Sequence, residues 1–296
     1  MRTRFLIVAI LLGIALTAFL LASPQAGARE YKYLDSAGIR IAYLEQGRGE
    51  PVILLHGGLA DSEQNWVQFG IMDALAKDHR AIALDLRGHG RSGKPHGVEN
   101  YGRLMAQDVL NLMDELKIDK AHLLGYSIGS LVALTLVADH PERVLSAAFG
   151  GPGWIRPDTD MSVYTNTAAS LEAGKGLRPM FEGYRDGQGN PISEKEMAQI
   201  DAALGRTNDL LAIATALRGI AGLVVLEPDL RRARVPCLFL YGTKDDNRKD
   251  IPLLRAALSA NAEFVEIPGA AHGDAIARPE FKDAVLRFFS SRPVSK

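Results

Sequence analysis

The sequence predicts an α/β fold in which a mostly parallel sheet is covered by helices on both faces. Three observations predict it. Short unbroken apolar runs, such as Pro51-Val52-Ile53-Leu54-Leu55 and Cys237-Leu238-Phe239-Leu240, recur along the chain; a strand apolar on both sides must be buried on both faces. Longer amphipathic stretches separate these runs, the order expected where helices cross between parallel strands. Glycine-rich turns follow several of the runs, among them His56-Gly57-Gly58 and Gly125-Tyr126-Ser127-Ile128-Gly129, and in such a sheet functional groups gather beyond the carboxyl ends of the strands.

Taken in order, Tyr31 to Asp35 and Ile39 to Glu45 read as two strands joined by a turn at Gly38, and Pro51 to Leu55 as a buried strand. A helix is expected over Trp66 to Lys77, then a strand over Arg80 to Leu84 that ends at Asp85. Leu104 to Leu116 reads as a helix leading into the strand Lys120 to Leu124, and Leu131 to Ala138 as the helix after Ser127. Val144 to Phe149 is the next strand. From Gly150 to about Arg234 the rhythm changes: residues 152–192 are polar and rich in Gly and Pro, and two helical patterns follow, Glu194 to Leu204 and Asn208 to Leu226. An insertion of that length is too long for an ordinary loop and reads as a lid over the catalytic edge of the sheet. The alternation then resumes with a strand over Pro236 to Tyr241, a helix over Asp250 to Ser259, a strand over Ala262 to Ile267 and a closing helix over Pro279 to Ser290. The expected organisation is thus a leader over 1–28, a core over 29–150 and 235–296, and a helical lid over 151–234.

Composition narrows the function. The 296 residues are 47% hydrophobic, enough for one sizeable core. With a net charge of −1 and no cluster of Lys and Arg, the chain offers no basic surface for nucleic acid. At the N-terminus, Arg2 and Arg4 precede an apolar run from Phe5 to Ala22 broken only by Gly13 and Thr17, and Ala26-Gly27-Ala28 is a small-x-small cleavage site. That is the pattern of export, to the periplasm or beyond. The run approaches the roughly 20 residues of a membrane-spanning helix, so both a cleaved signal peptide and a retained membrane anchor fit it. The one cysteine, Cys237, lies inside an apolar run and reads as a buried small hydrophobe, with no internal disulfide available.

The chemistry centres on Ser127. A serine on a sharp strand-to-helix turn is held with its oxygen exposed, and glycines on either side leave room for the neighbouring strand and helix. A serine hydroxyl is a poor nucleophile near neutral pH, so it needs an imidazole to take its proton and a carboxylate to orient that imidazole. Two downstream loops follow strands and carry these groups: Gly242-Thr243-Lys244-Asp245-Asp246, and Pro268-Gly269-Ala270-Ala271-His272-Gly273.

With those loops, His56-Gly57-Gly58, and the stretch Asp85-Leu86-Arg87-Gly88-His89-Gly90-Arg91-Ser92, the chain from Tyr31 to its C-terminus resembles the α/β-hydrolase-fold proteins. The resemblance implies a Ser127 nucleophile, His272 as general base and acid, and Asp245 as the orienting acid, with the adjacent Asp246 as the alternative. It implies an oxyanion hole from the backbone N–H of Ile128 and of Gly58, with Leu59 as the alternative donor. It also implies that His56, Asp85 and His89 are structural, bonding loops near the active site. No H-E-x-x-H, H-x-H or spaced Cys/His set suggests a metal, no phosphate-cradling loop is present, and no cofactor is expected.

A serine at the elbow argues against dehalogenase and epoxide hydrolase members, which use aspartate there. The expected reaction is hydrolysis of a carboxylic ester, or a related acyl bond, of a small-molecule substrate. Alternatives are an aminopeptidase-like or C–C bond hydrolase, or a non-enzymatic ligand-binding protein on the same scaffold. In the lid, Trp154, Tyr164, Met180, Phe181 and Tyr184 are candidates for an apolar acyl pocket.

Overall fold

In the computed structural model of the protein, residues 29–183, 191–258 and 261–292 are described. The expected leader and Tyr184 lie outside the described residues.

Eight strands form one sheet: β1 (Lys32–Ser36), β2 (Ile39–Gln46), β3 (Glu50–Leu55), β4 (His79–Leu84), β5 (Ala121–Tyr126), β6 (Val144–Gly150), β7 (Cys237–Gly242) and β8 (Ala262–Ile267), in the spatial order β1-β2-β4-β3-β5-β6-β7-β8. β1 pairs antiparallel with β2, and β2 with β4; every other pair is parallel. The first hairpin turns at Ala37 and Gly38, both at positive φ, which suits a two-residue connection.

The central strands are buried throughout, as their unbroken apolar sequences require. Every residue of β5 and β7 is buried, whereas the edge strands β1 and β8 carry exposed positions. Side chains alternate between two cores. On one face Ile53, Leu55, Leu123, Phe149 and Phe239 pack with Met105, Val109 and Leu112 of helix Arg103–Glu115; on the other Val52, Leu54, Leu124 and Leu240 pack with Trp66, Phe281 and Phe289. Phe149, Phe239 and Phe264 stack across three adjacent strands at centroid spacings of 4.7 and 5.0 Å.

The helices are α1 (Ile71–Leu75), α2 (Arg103–Glu115), α3 (Ile128–Asp139), α4 (Ser162–Glu172), α5 (Arg178–Phe181), α6 (Glu194–Thr207), α7 (Leu210–Gly219), α8 (Glu227–Arg232), α9 (Ile251–Leu258) and α10 (Pro279–Ser290). One expectation is corrected. The helix read over Trp66 to Lys77 is a wide turn at Glu63–Val67 followed by α1, because Gly70 takes a left-handed conformation at φ 64° and breaks the ladder between them. Helices α4 and α5 fall in the stretch where the sequence shows no helical pattern. Between residues 151 and 234 the described elements are helices α4 to α8 with one 3-10 turn, Ile220–Leu223.

Candidate active site

Four loops at the carboxyl ends of strands meet over one edge of the sheet. Ser127 stands between β5 and α3 at φ 52°, ψ −115°, a backbone region that a residue with a side chain occupies only under constraint. The constraints are visible. Its N–H donates to the Gly150 carbonyl at 2.9 Å, and the Ser130 hydroxyl, also 2.9 Å away, serves the carbonyls of both Gly125 and Gly150. A Cβ on Gly125 would lie 2.3 Å from the Gly129 carbonyl oxygen, and one on Gly129 would lie 2.0 Å from that of Leu55. Both elbow glycines are therefore required by backbone, not by side chains that could move aside.

The Ser127 hydroxyl lies 2.9 Å from His272 Nε2. On the far side of the ring, His272 Nδ1 lies 3.1 and 3.0 Å from the two carboxylate oxygens of Asp245. With Nδ1 protonated, the ring donates to Asp245 and its Nε2 accepts from the serine. Asp245 is 1% exposed, while its neighbour Asp246 faces solvent and makes no contact with the imidazole. Consecutive residues leaving a strand point to opposite sides, and the Asp245 carboxylate is fixed further by the Asn247 N–H at 2.9 Å.

Opposite the imidazole, the loop after β3 closes on the start of α3. A Cβ on Gly58 would lie 2.6 Å from Ile128 Cδ1, and one on Gly57 would lie 3.4 Å from Ser127 Cβ. Among the described residues, no hydrogen-bond acceptor is recorded for the backbone N–H of Gly58, Leu59 or Ile128. Leu59 sits at φ 67°, and the Gly57 N–H is held by the Asn65 side chain at 2.8 Å. The loop is thus bent and anchored with amides left to donate, the condition for stabilising an oxyanion.

His56, Asp85 and His89 are buried within this framework. His56 bonds the Gly57 carbonyl through Nδ1 at 2.7 Å and accepts the Leu86 N–H at Nε2, 2.9 Å away. Asp85 accepts from the Ser62 and Arg91 N–H groups, tying the loops after β3 and β4 together. Burial, then the nearby His56, pushes the His89 imidazole down to about 3, so it stays neutral. Among the described residues, no group of three His, Cys, Asp or Glu is arranged to hold a metal. Cys237 is buried and its thiol is pushed up to about 12 by that burial, which leaves it inert.

Residues of the site that sequence reasoning passed over are Tyr126, Ser130, Asn65 and Gly151. The Tyr126 hydroxyl donates to the His272 carbonyl at 2.6 Å. Gly151, at φ 53°, lies against the imidazole so closely that a Cβ would be 2.8 Å from His272 Cε1. Tyr126 and Gly151 flank the predicted elbow and the end of β6, but nothing in their local sequence reveals a contact with His272, 146 positions from Tyr126. Of the pocket candidates, Trp154 is buried with its indole N–H bonded to the Val225 carbonyl at 2.9 Å, a packing arrangement; Tyr164, Met180 and Phe181 pack half-buried against the core. A cleft of about 400 Å³ lined by Tyr101, Gly102, Arg103, Arg218 and Gly222 contains none of the site residues.

The sequence profile of the alpha/beta hydrolase fold family matches residues 50–191, the segment that holds the elbow and both loops before it. The chain belongs to the α/β-hydrolase-fold superfamily. Among its relatives is the dihydrolipoyllysine-residue acetyltransferase component of the acetoin cleaving system of Cupriavidus necator, 36% identical over 161 residues. That match takes in 54% of this chain and 42% of that protein, so the chain aligns with less than half of its length. A 2-hydroxy-6-oxo-6-(2'-aminophenyl)hexa-2,4-dienoic acid hydrolase of Metapseudomonas resinovorans is 27% identical over 284 residues, covering 88% of this chain and 91% of that one. Among solved structures, one from work on carboxylesterases of Nitrososphaera gargenis superimposes with a TM-score of 0.70 at 20% identity, covering 88% of this chain and 98% of its own, a likeness of fold.

Proposed function

We propose that the protein is a serine hydrolase that cleaves a carboxylic ester of a small molecule through an acyl-enzyme. The observation that carries the reading is the unbroken line from the Ser127 hydroxyl, 2.9 Å from His272 Nε2, to the buried Asp245 behind Nδ1. Ser127 attacks the carbonyl carbon as His272 takes its proton; the oxyanion is met by the free N–H groups of Ile128 and Gly58, with Leu59 next in line. His272 then protonates the leaving alcohol. Water, deprotonated by the same ring, adds to the acyl-enzyme and releases the acid. The helices between residues 151 and 234 act as the lid that selects the acyl group.

The test is labelling with a serine-directed fluorophosphonate, followed by turnover of p-nitrophenyl esters in a chain-length series with amide and thioester controls. Labelling and ester turnover are expected, both abolished in Ser127→Ala. Asp245→Asn is expected to lower kcat by roughly 10⁴-fold, the scale known for an acid that orients its histidine, and Asp246→Asn to leave it unchanged. Binding of small esters without labelling or turnover would sink the reading and leave a ligand-binding protein.

A second reading is favoured by the Metapseudomonas resinovorans relative, whose likeness runs over 88% of this chain: the same nucleophile and base acting on a dienoic acid by C–C bond hydrolysis. Faster turnover of such an acid than of any ester would select it. We further propose that the enzyme is exported, its leader either cleaved after Ala28 or kept as an anchor; N-terminal sequencing of the protein from membrane and soluble extracts distinguishes the two.

A further inference from the structure

Two segments that frame the acid and the base, the turn after β7 and the loop that leaves β6, meet at one buried carboxylate, Asp250. It closes the 3-10 turn Asp246–Asp250 whose N-cap is Asp245, and it is 9% exposed. Both of its oxygens are taken by the loop that leaves β6. Oδ2 accepts the Trp154 N–H at 3.3 Å, and Oδ1 accepts from the Arg156 guanidinium at 3.1 Å. Arg156 also lies over the Trp154 ring, 5.5 Å from its centroid, with the exposed Asp158 as a weaker second partner at 3.4 Å.

The same loop reaches the imidazole at its other end. The Gly151 N–H donates to the Leu240 carbonyl at 2.9 Å, and Gly151 rests against His272 with Asp245 just beyond: a Cβ there would be 2.8 Å from His272 Cε1 and 3.6 Å from Asp245 Oδ2. A third segment joins through Trp154, whose indole donates to the Val225 carbonyl, while the Val225 N–H donates to Ile155 at 3.0 Å. Residues 151–156 are therefore fixed at one end by the sheet, at the other by Asp250, and from above by the last part of the helical insertion.

We propose that Asp250 and Arg156 form a latch that positions the acid arm of the site, holding the turn that bears Asp245 and the loop that covers His272 in one register with the lid. The inference rests on the triad reading. Neither residue touches the reacting atoms; both are positioning residues. A carboxylate that bonds only across to another segment, not within its own turn, transmits a displacement of that segment to Asp245 five positions away. A shift of about 1 Å in such a framework costs up to roughly 100-fold in rate.

The experiment compares Asp250→Ala, Asp250→Asn, Arg156→Ala and Arg156→Lys with the parent full-length protein, by steady-state kinetics on a short p-nitrophenyl ester and by the rate of fluorophosphonate labelling. The expected result is a kcat lowered about 10- to 100-fold in Asp250→Ala and Arg156→Ala, with KM little changed and labelling slowed in parallel. Arg156→Lys is expected to recover part of the loss, since a point charge still reaches Asp250. Should Asp250→Ala fail to fold, Asp250→Asn keeps the shape and one acceptor and reads the same effect. Folded variants that keep the parent's kcat and labelling rate, or that change KM alone, overturn the latch while leaving the hydrolase intact. A parent that neither labels nor turns over ester overturns the triad reading itself, and the latch with it.

Discussion

At the scale of single residues, the site depends on contacts made by groups that do no chemistry. Tyr126 precedes Ser127, yet its hydroxyl fixes the carbonyl of His272, and burial keeps that hydroxyl protonated by raising its pKa. Tyr126→Phe removes the hydroxyl and nothing else of size. It is expected to lower kcat, by up to about 100-fold if the His272 loop moves by an ångström, with a melting temperature close to the parent's; steady-state kinetics and thermal unfolding read the two separately. His89 makes a pH prediction. Its imidazole is neutral in the fold down to about 3, against an ordinary value of 6.5 in the unfolded chain. The unfolded chain therefore binds the proton first as pH falls. The contribution to stability is whole above 6.5 and drains away between 6.5 and 3, at a rate on the order of 1 kcal/mol per pH unit. His89→Gln is expected to flatten that part of the urea-unfolding profile relative to the parent, with the two curves parallel above pH 7.

At the scale of elements, the strand-turn-helix unit of β5, Ser127 and α3 is the most tightly specified. Its helix is apolar all round, buried at ten of its positions including Ile128, Val132 and Leu136, so α3 cannot slide without disturbing both its neighbours. Gly129 sets how closely it approaches β3. Gly129→Ala places a methyl 2.0 Å from the Leu55 carbonyl oxygen, and is expected to destabilise the protein by at least about 2 kcal/mol, with lost fluorophosphonate labelling in whatever fraction still folds; an unchanged melting temperature would refute the close approach. The helical insertion obeys local rules where the sequence advertises them. Helix α6 begins with a full capping box, Ser193 and Glu196 each bonding the other's backbone, and α7 begins on Asp209, whose side chain accepts from Leu211 and Ala212. Helix α4 lacks such signals. Its N-cap is Met161 with no side-chain bond, and only Thr167, Ala168 and Leu171 are buried, too sparse a stripe to stand out among polar residues.

At the scale of the whole molecule, the stretch Asp85 to Ser92 ties the first half of the chain into one body. Arg87 is 2% exposed and grips Asp108 of α2 with two hydrogen bonds, at 2.7 and 2.5 Å, while the Ser36 hydroxyl at the end of β1 donates to the same carboxylate at 2.5 Å. Removing one partner of such a buried pair leaves an uncompensated charge. Asp108→Ala is expected to cost about 3–5 kcal/mol in urea unfolding, and a loss below 1 kcal/mol would mean that Arg87 finds water or another acceptor.

The sequence by itself determined the fold class, the alternation of strands and helices, and the residues at the heart of the site, because each is written locally. Buried strands must be apolar runs, an elbow must carry glycines where backbone crowds it, and Ser127, Asp245 and His272 each follow such a run. Tertiary structure alone decided between Asp245 and Asp246 as the carboxylate facing the imidazole, since one residue's step turns a side chain from the protein interior to solvent. It also decided that Trp66 to Lys77 is broken at Gly70 and that residues 162–172 are helical. And it alone brought Tyr126 and Gly151 against His272. Those contacts join positions far apart in the chain, and no local pattern of hydrophobicity or turn residues encodes a partner that only the closed sheet brings within reach.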